Sequence, residues 1–132
     1  MVFVALALAS VQAVSAQIVE PGSVQSVSAA EVAPTAACPT LQDKDGRPCG
    51  VVRKIELRRA LGERAVVLIN SAGDVKPCKE PATHAFILQT TKGTKVLPVS
   101  VRCGTVGGRA LPTTTTTEVR DFLRSQGLIT GL

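Results

Sequence analysis

The chain has neither tryptophan nor tyrosine and only three phenylalanines, one of them within the first sixteen residues. Phe86 and Phe122 are then the aromatic side chains left for a folded domain. So small an aromatic stock argues against the stacking platforms that hold single-stranded nucleic acid or sugar rings, and nucleic acid is not an expected partner. Histidine is nearly absent too, with His84 alone. Structural zinc needs closely paired Cys or His ligands, and Cys38, Cys49, Cys78 and Cys103 are too widely spaced to provide them. A Cys-x-x-Cys redox pair is missing as well. Neither a nucleophile elbow, Gly-x-Ser-x-Gly, nor a phosphate loop ending in Gly-Lys-Ser/Thr occurs. There is no Asn-x-Ser/Thr sequon, and no apolar run approaches the ~20 residues that cross a bilayer. No cofactor and no metal are expected, and the reading leans away from an enzyme.

What is present begins with an address. Residues 1–16 carry no charged side chain, include an apolar run from Val2 to Ala9, and end in Val14-Ser15-Ala16, the small residues a signal peptidase reads. They are expected to be a cleaved secretory signal, leaving Gln17 as the first residue of a secreted, extracellular product without a transmembrane segment. Residues 17–37, rich in Ser, Ala, Val and Pro and without a sustained period, are expected to form a flexible N-terminal segment. Residues 38–132 are expected to form a single disulfide-stabilised domain.

An even number of cysteines in a secreted chain points to disulfides. The loop "CPTLQDKDGRPCG" has Leu41 and Val52 where an EF-hand centred on Gly46 would need oxygen ligands, so it is not a calcium loop. Two strand-like runs, "HAFILQT" and "TKVLPVSV", flank Lys92-Gly93. A two-residue loop there sets Thr91 opposite Thr94, Leu88 opposite Leu97 and Phe86 opposite Val99, with Phe86, Leu88, Leu97, Val99 and Val101 on one face. A three-residue loop with a bulge is the alternative. Pro98 cannot donate to a ladder, which suggests an edge or a bulge. The same register brings Cys103 beside Ala82, within a short turn of Cys78. Cys78–Cys103 and Cys38–Cys49 are therefore the expected pairs.

Elsewhere, "VVRKIELRRALG" reads as a short amphipathic helix closed by Gly62, and "RAVVLINSAGD" as a buried strand. Near the end, Val119, Phe122 and Leu123 mark a helix stopped by Gly127, with Thr115 and Glu118 at capping-box spacing. The run Thr113 to Thr117 could carry O-linked sugars, although a helix-initiating loop is the simpler reading. The expected class is α+β: a small disulfide-stabilised antiparallel sheet with one or two short helices.

All fifteen basic residues but only eight of the ten acidic ones fall after residue 37. Six of the basic residues crowd between Arg47 and Arg64. Arg53, Lys54, Arg58, Arg59 and Arg64 are the candidate binding surface, suited to a protein or another acidic partner. The expected function is a small secreted cysteine-containing binding protein of the effector, toxin-like or inhibitor kind, acting outside its cell of origin. A small secreted hydrolase and an extracellular structural or surface-coat component are the alternatives. His84 beside Cys78 could make an imidazole-activated thiol only if Cys78 were reduced.

Overall fold

The computed structural model describes residues 17–129; the expected signal over residues 1–16 lies outside them. Six strands make one antiparallel sheet: β1 (Val24–Val32), β2 (Val51–Glu56), β3 (His84–Thr90), β4 (Gly93–Ser100), β5 (Thr105–Val106) and β6 (Arg109–Ala110). Their spatial order is β2-β1-β3-β4-β5-β6. Two helices, α1 (Arg59–Asn70) and α2 (Thr113–Ser125), complete an α+β fold.

β1 corrects the expectation of a flexible segment over 17–37, because it lies between β2 and β3 and pairs with both. Helix residues cover one of its faces and the segment carrying Leu41 the other, so Ala29 and Ala30 are equally buried although they point in opposite directions. A strand enclosed on both sides need not alternate apolar with polar residues. Small side chains let the helices on one face and a loop on the other approach it closely.

The helix expected over 51–62 and the strand expected after it are both corrected. Val51, Val52 and Ile55 lie on β2, where β-branched side chains fit a pleated surface. The run "RAVVLIN" instead completes α1. Gly62, Ala65, Val66 and Ile69 follow i, i+3, i+4, i+7 spacing and are buried, whereas Val67 is 58% exposed. One exposed valine inside the apolar run separates a helix from a buried strand. Gly62 sits inside α1 rather than at its end, letting the helix backbone approach Val27: a Cβ built there would lie 3.5 Å from that side chain.

In the β3–β4 hairpin Phe86 pairs with Leu97, Leu88 with Lys95 and Thr90 with Gly93, which corrects the expected register by two residues. The two-residue loop is Thr91-Lys92, and Gly93 begins the return strand with φ +119°. A shift of two preserves side-chain parity. Phe86, Leu88, Leu97 and Val99 therefore still share the face that packs on Ala65, Val66, Leu68 and Ile69 of α1 and on Val119 and Leu123 of α2. Pro98 lies where β4 is flanked by β5 only at Val99 and Ser100, and its carbonyl accepts from the Gly107 amide at 2.8 Å.

Helix α2 starts at Thr113 with Pro112 at the N-cap, so Thr115 is a buried helical residue and not the expected cap. Its other end is a Schellman turn: Gly127, at φ +75°, donates to the Arg124 carbonyl and Leu128 donates to that of Leu123. Leu123 and Leu128 are both buried, the apolar pairing that commonly accompanies this motif.

Cys38 is bonded to Cys49, and Cys78 to Cys103. The Cys38–Cys49 loop covers the sheet face opposite the helices. There Leu41 joins Ala30, Val32, Ala85, Ile87 and Val96 in a second core. Leu41 has φ +68°, alone among the described non-glycine residues in being positive, a conformation that costs an L-residue about 1–2 kcal/mol. Burial of its side chain, and the Cys49 amide donating to its carbonyl at 3.0 Å, offset that cost.

The chain's first described residues are also held. Ile18 and Val19 donate their amides to Asn70 Oδ1 at 3.0 Å each, and Asn70 Nδ2 donates to the Val19 carbonyl at 2.8 Å. Lys95 Nζ donates to the Ile18 carbonyl at 3.0 Å. Asn70→Ala leaves two amides and a carbonyl without partners and is expected to lower stability by about 1–3 kcal/mol. Asn70→Asp keeps the acceptor and should lose less; urea melts of both variants check the order, and equal losses would contradict it.

Candidate functional site

The five basic residues do not share a helix face. Arg53 and Lys54 are on β2, Arg58 is the N-cap of α1, and Arg59 and Arg64 lie within that helix. Successive strand residues point to opposite faces, so Arg53 lies on the helix side of the sheet and Lys54 on the other. Three of the five have carboxylate partners. Arg53 meets Glu31 at 3.4 Å and also donates to the Gly127 carbonyl at the end of α2. Arg59 lies 3.6 Å from Glu63 one turn along α1, and Arg64 ties α1 to α2 through Glu118.

Lys54 and Arg58 are exposed and form no ion pair among the described residues. The Arg59 side chain is 93% exposed, so its pair with Glu63 is solvated and opens at little cost. The site that emerges is the corner where β2 turns into α1, with Lys54, Arg58 and Arg59 presented to solvent. Leu57, buried between them, anchors the turn, and its amide donates to the Val27 carbonyl at 2.9 Å.

A groove of about 950 Å³ opens beside this corner. Its lining includes Ser26, Glu56, Arg59, Glu63 and Asn70, together with the buried Val27 and Val66. Ser26 and Asn70 were not among the sequence candidates. No motif in the sequence marks either: Ser26 lies in a stretch without a sustained period, and Asn70 ends an apolar run. A second groove, about 520 Å³, lies between the two disulfide-closed loops and is walled by Pro34, Pro39, Pro77, Pro81 and Pro98.

The other chemistry-bearing side chains are engaged in the fold. Every described cysteine is in a disulfide, which removes the thiol that an imidazole at His84 would activate. His84 is buried, with Nε2 2.9 Å from the Leu128 carbonyl and Nδ1 2.8 Å from Thr83 Oγ1. A carbonyl can only accept, so Nε2 carries a proton and donates it to the Leu128 carbonyl, while Nδ1 shares a hydrogen bond with the Thr83 hydroxyl. The ring thus fastens the end of α2 to β3. Asp43 is a turn residue: its Oδ1 accepts from the Asp45 and Arg47 amides at 2.9 Å. Among the described residues no cluster of three or more His, Cys, Asp or Glu could hold a metal. No described helix is long and apolar enough to cross a membrane.

No protein-family model matches this chain, and no curated protein or solved structure matches it either.

Proposed function

We propose that this is a small secreted binding protein that acts outside its cell of origin and engages an acidic partner through the β2–α1 corner. The observation that carries the reading is the pair Lys54 and Arg58, exposed and without a carboxylate partner among the described residues, while the neighbouring arginines are tied to Glu31, Glu63 and Glu118. Cations left without an internal partner keep their field for an external one and speed its capture. Two disulfides suit an oxidising compartment, which supports secretion. Their oxidation and the two hydrogen bonds of His84 favour a binding role over the hydrolase alternative.

The test uses the oxidised protein with polyglutamate as the anionic probe. Binding is expected to weaken as salt rises, since exposed charges are screened over about 8 Å at physiological ionic strength. The double variant Lys54→Gln with Arg58→Gln should bind more weakly and with a shallower salt slope. Its thermal stability should change by less than about 1 kcal/mol, because neither side chain has an ion-pair partner among the described residues. An unchanged slope would reduce the corner to an ordinary solvated surface. Turnover of RNA, wall glycan or peptide by the same material would favour the hydrolase.

A further inference from the structure

We infer that the acidic partner is an extended polypeptide segment that adds to the open edge of β2 as a seventh strand; this rests on the basic-corner reading above. The two ends of the sheet are not alike. At the β6 end, residues 73–76 cover the edge: Gly73 donates to the Ala110 carbonyl, Ala110 donates to that of Asp74, and Lys76 donates to that of Gly108. At the other end β2 is the last strand, and nothing among the described residues lies hydrogen-bonded along its outer side.

The alternation of an antiparallel ladder says which groups that edge offers. Leu57 is bonded to Val27, so Ile55 and Arg53, two and four residues earlier, direct their main-chain groups toward β1. Lys54 and Glu56 direct theirs outward. An unpaired row of this kind is a template for another strand, with main-chain bonds giving affinity and side chains giving selection.

The side chains argue against a second copy of this chain. Of the antiparallel self-pairings that this alternation allows, the two with the longest overlap place Arg53 against Arg53 or Lys54 against Lys54, and like charges directly opposite repel. Lys54 offers an unshared charge to a carboxylate on the added strand, and Arg53, half-exposed and 3.4 Å from Glu31, offers a shared one to the carboxylate next to it. Val52, 62% exposed, and Ile55 flank the basic pair and call for apolar residues at either end. The complement is apolar–acidic–acidic–apolar, and Arg58 extends the positive charge beyond the strand.

A synthetic decapeptide centred on Val-Glu-Glu-Val, added to the full oxidised protein, tests this by residue-resolved amide exchange. Exchange at Lys54 and Glu56 should slow by about tenfold or more, while Arg53 and Ile55, already bonded to β1, stay as they were. Methylating the alternate peptide nitrogens that face β2 should weaken binding by about tenfold or more, and methylating the intervening ones should not. Salt-sensitive binding without protection of Lys54 and Glu56 would overturn the strand addition and leave the basic corner standing. Failure of the peptide, with Lys54- and Arg58-dependent binding to RNA or anionic vesicles, would overturn the partner class alone. Failure of peptide, polyglutamate, RNA and vesicles together would overturn both.

Discussion

Phe86→Ala is expected to lower stability by about 3–5 kcal/mol, the cost of the lost transfer energy together with the cavity left behind. Phe86 is fully buried on β3, with β1 on one side and β4 on the other. Its ring meets that of Phe122 edge-on, with centroids 6.1 Å apart, so it joins the middle of the sheet to α2. No tryptophan or tyrosine exists to move into the vacated space, and the neighbours Leu88, Leu97 and Val99 are held in register by backbone pairing. A domain whose whole stability is about 5–15 kcal/mol would lose a large part of it. Urea melts of Phe86→Ala and Phe86→Leu measure the effect, the leucine variant losing the smaller amount. A loss below about 1.5 kcal/mol for alanine would mean that the core closes over the gap.

What the sequence made legible is the part of the fold that depends on parity. The apolar face of the hairpin survives the two-residue error in register, because a shift of two returns every side chain to its own face. The pairing of Cys78 with Cys103 follows from that same register, yet Cys103 lies in the turn after β4 and not on the strand, so nearness of the two segments and not strand parity brings the cysteines together. Parity says nothing where both faces are covered, and β1 was missed for that reason. Local pattern also failed across residues 51–70, where a valine- and isoleucine-rich stretch fits either element until its partner is known. β2 is a strand because β1 lies beside it, and α1 is a helix because its Val67 side faces water. For the site, the sequence showed the cluster of cations but not which of them are free. Glu31 and Glu118 lie 22 and 54 residues from the arginines they hold, and only the folded sheet and helix pair bring them there.

The two disulfides are expected to fail differently when removed. The bridged residues are 11 apart for Cys38–Cys49 and 25 apart for Cys78–Cys103. On loop-closure entropy alone these are worth about 2.8 and about 3.5 kcal/mol, so Cys78→Ala with Cys103→Ala should give the larger drop in global stability. The folded state of that variant should nevertheless stay closed. The enclosed β3–β4 hairpin keeps its ladder, and Arg102–Glu80 at 3.1 Å and Lys76 Nζ donating to the Cys103 carbonyl at 2.7 Å tie the same two segments together. Loss of Cys38–Cys49 has less behind it. The loop would then be held by the burial of Leu41 against its unfavourable φ, and by Gln42, whose Nε2 donates to the Gly46 carbonyl and reaches that of Thr94 at 3.3 Å. Cys38→Ala with Cys49→Ala should therefore open the loop while the helix-covered core remains folded. Trypsin reports this directly, since Lys44 sits at the loop tip and Arg47 is spared by the proline after it. Cleavage after Lys44 should quicken by about tenfold or more in that variant, well below its unfolding transition. In the Cys78/Cys103 variant the same cut should wait for global unfolding. If Lys44 stays as protected as in the intact protein, the second core holds the loop without its disulfide, and the strain assigned to Leu41 is smaller than its backbone angle implies.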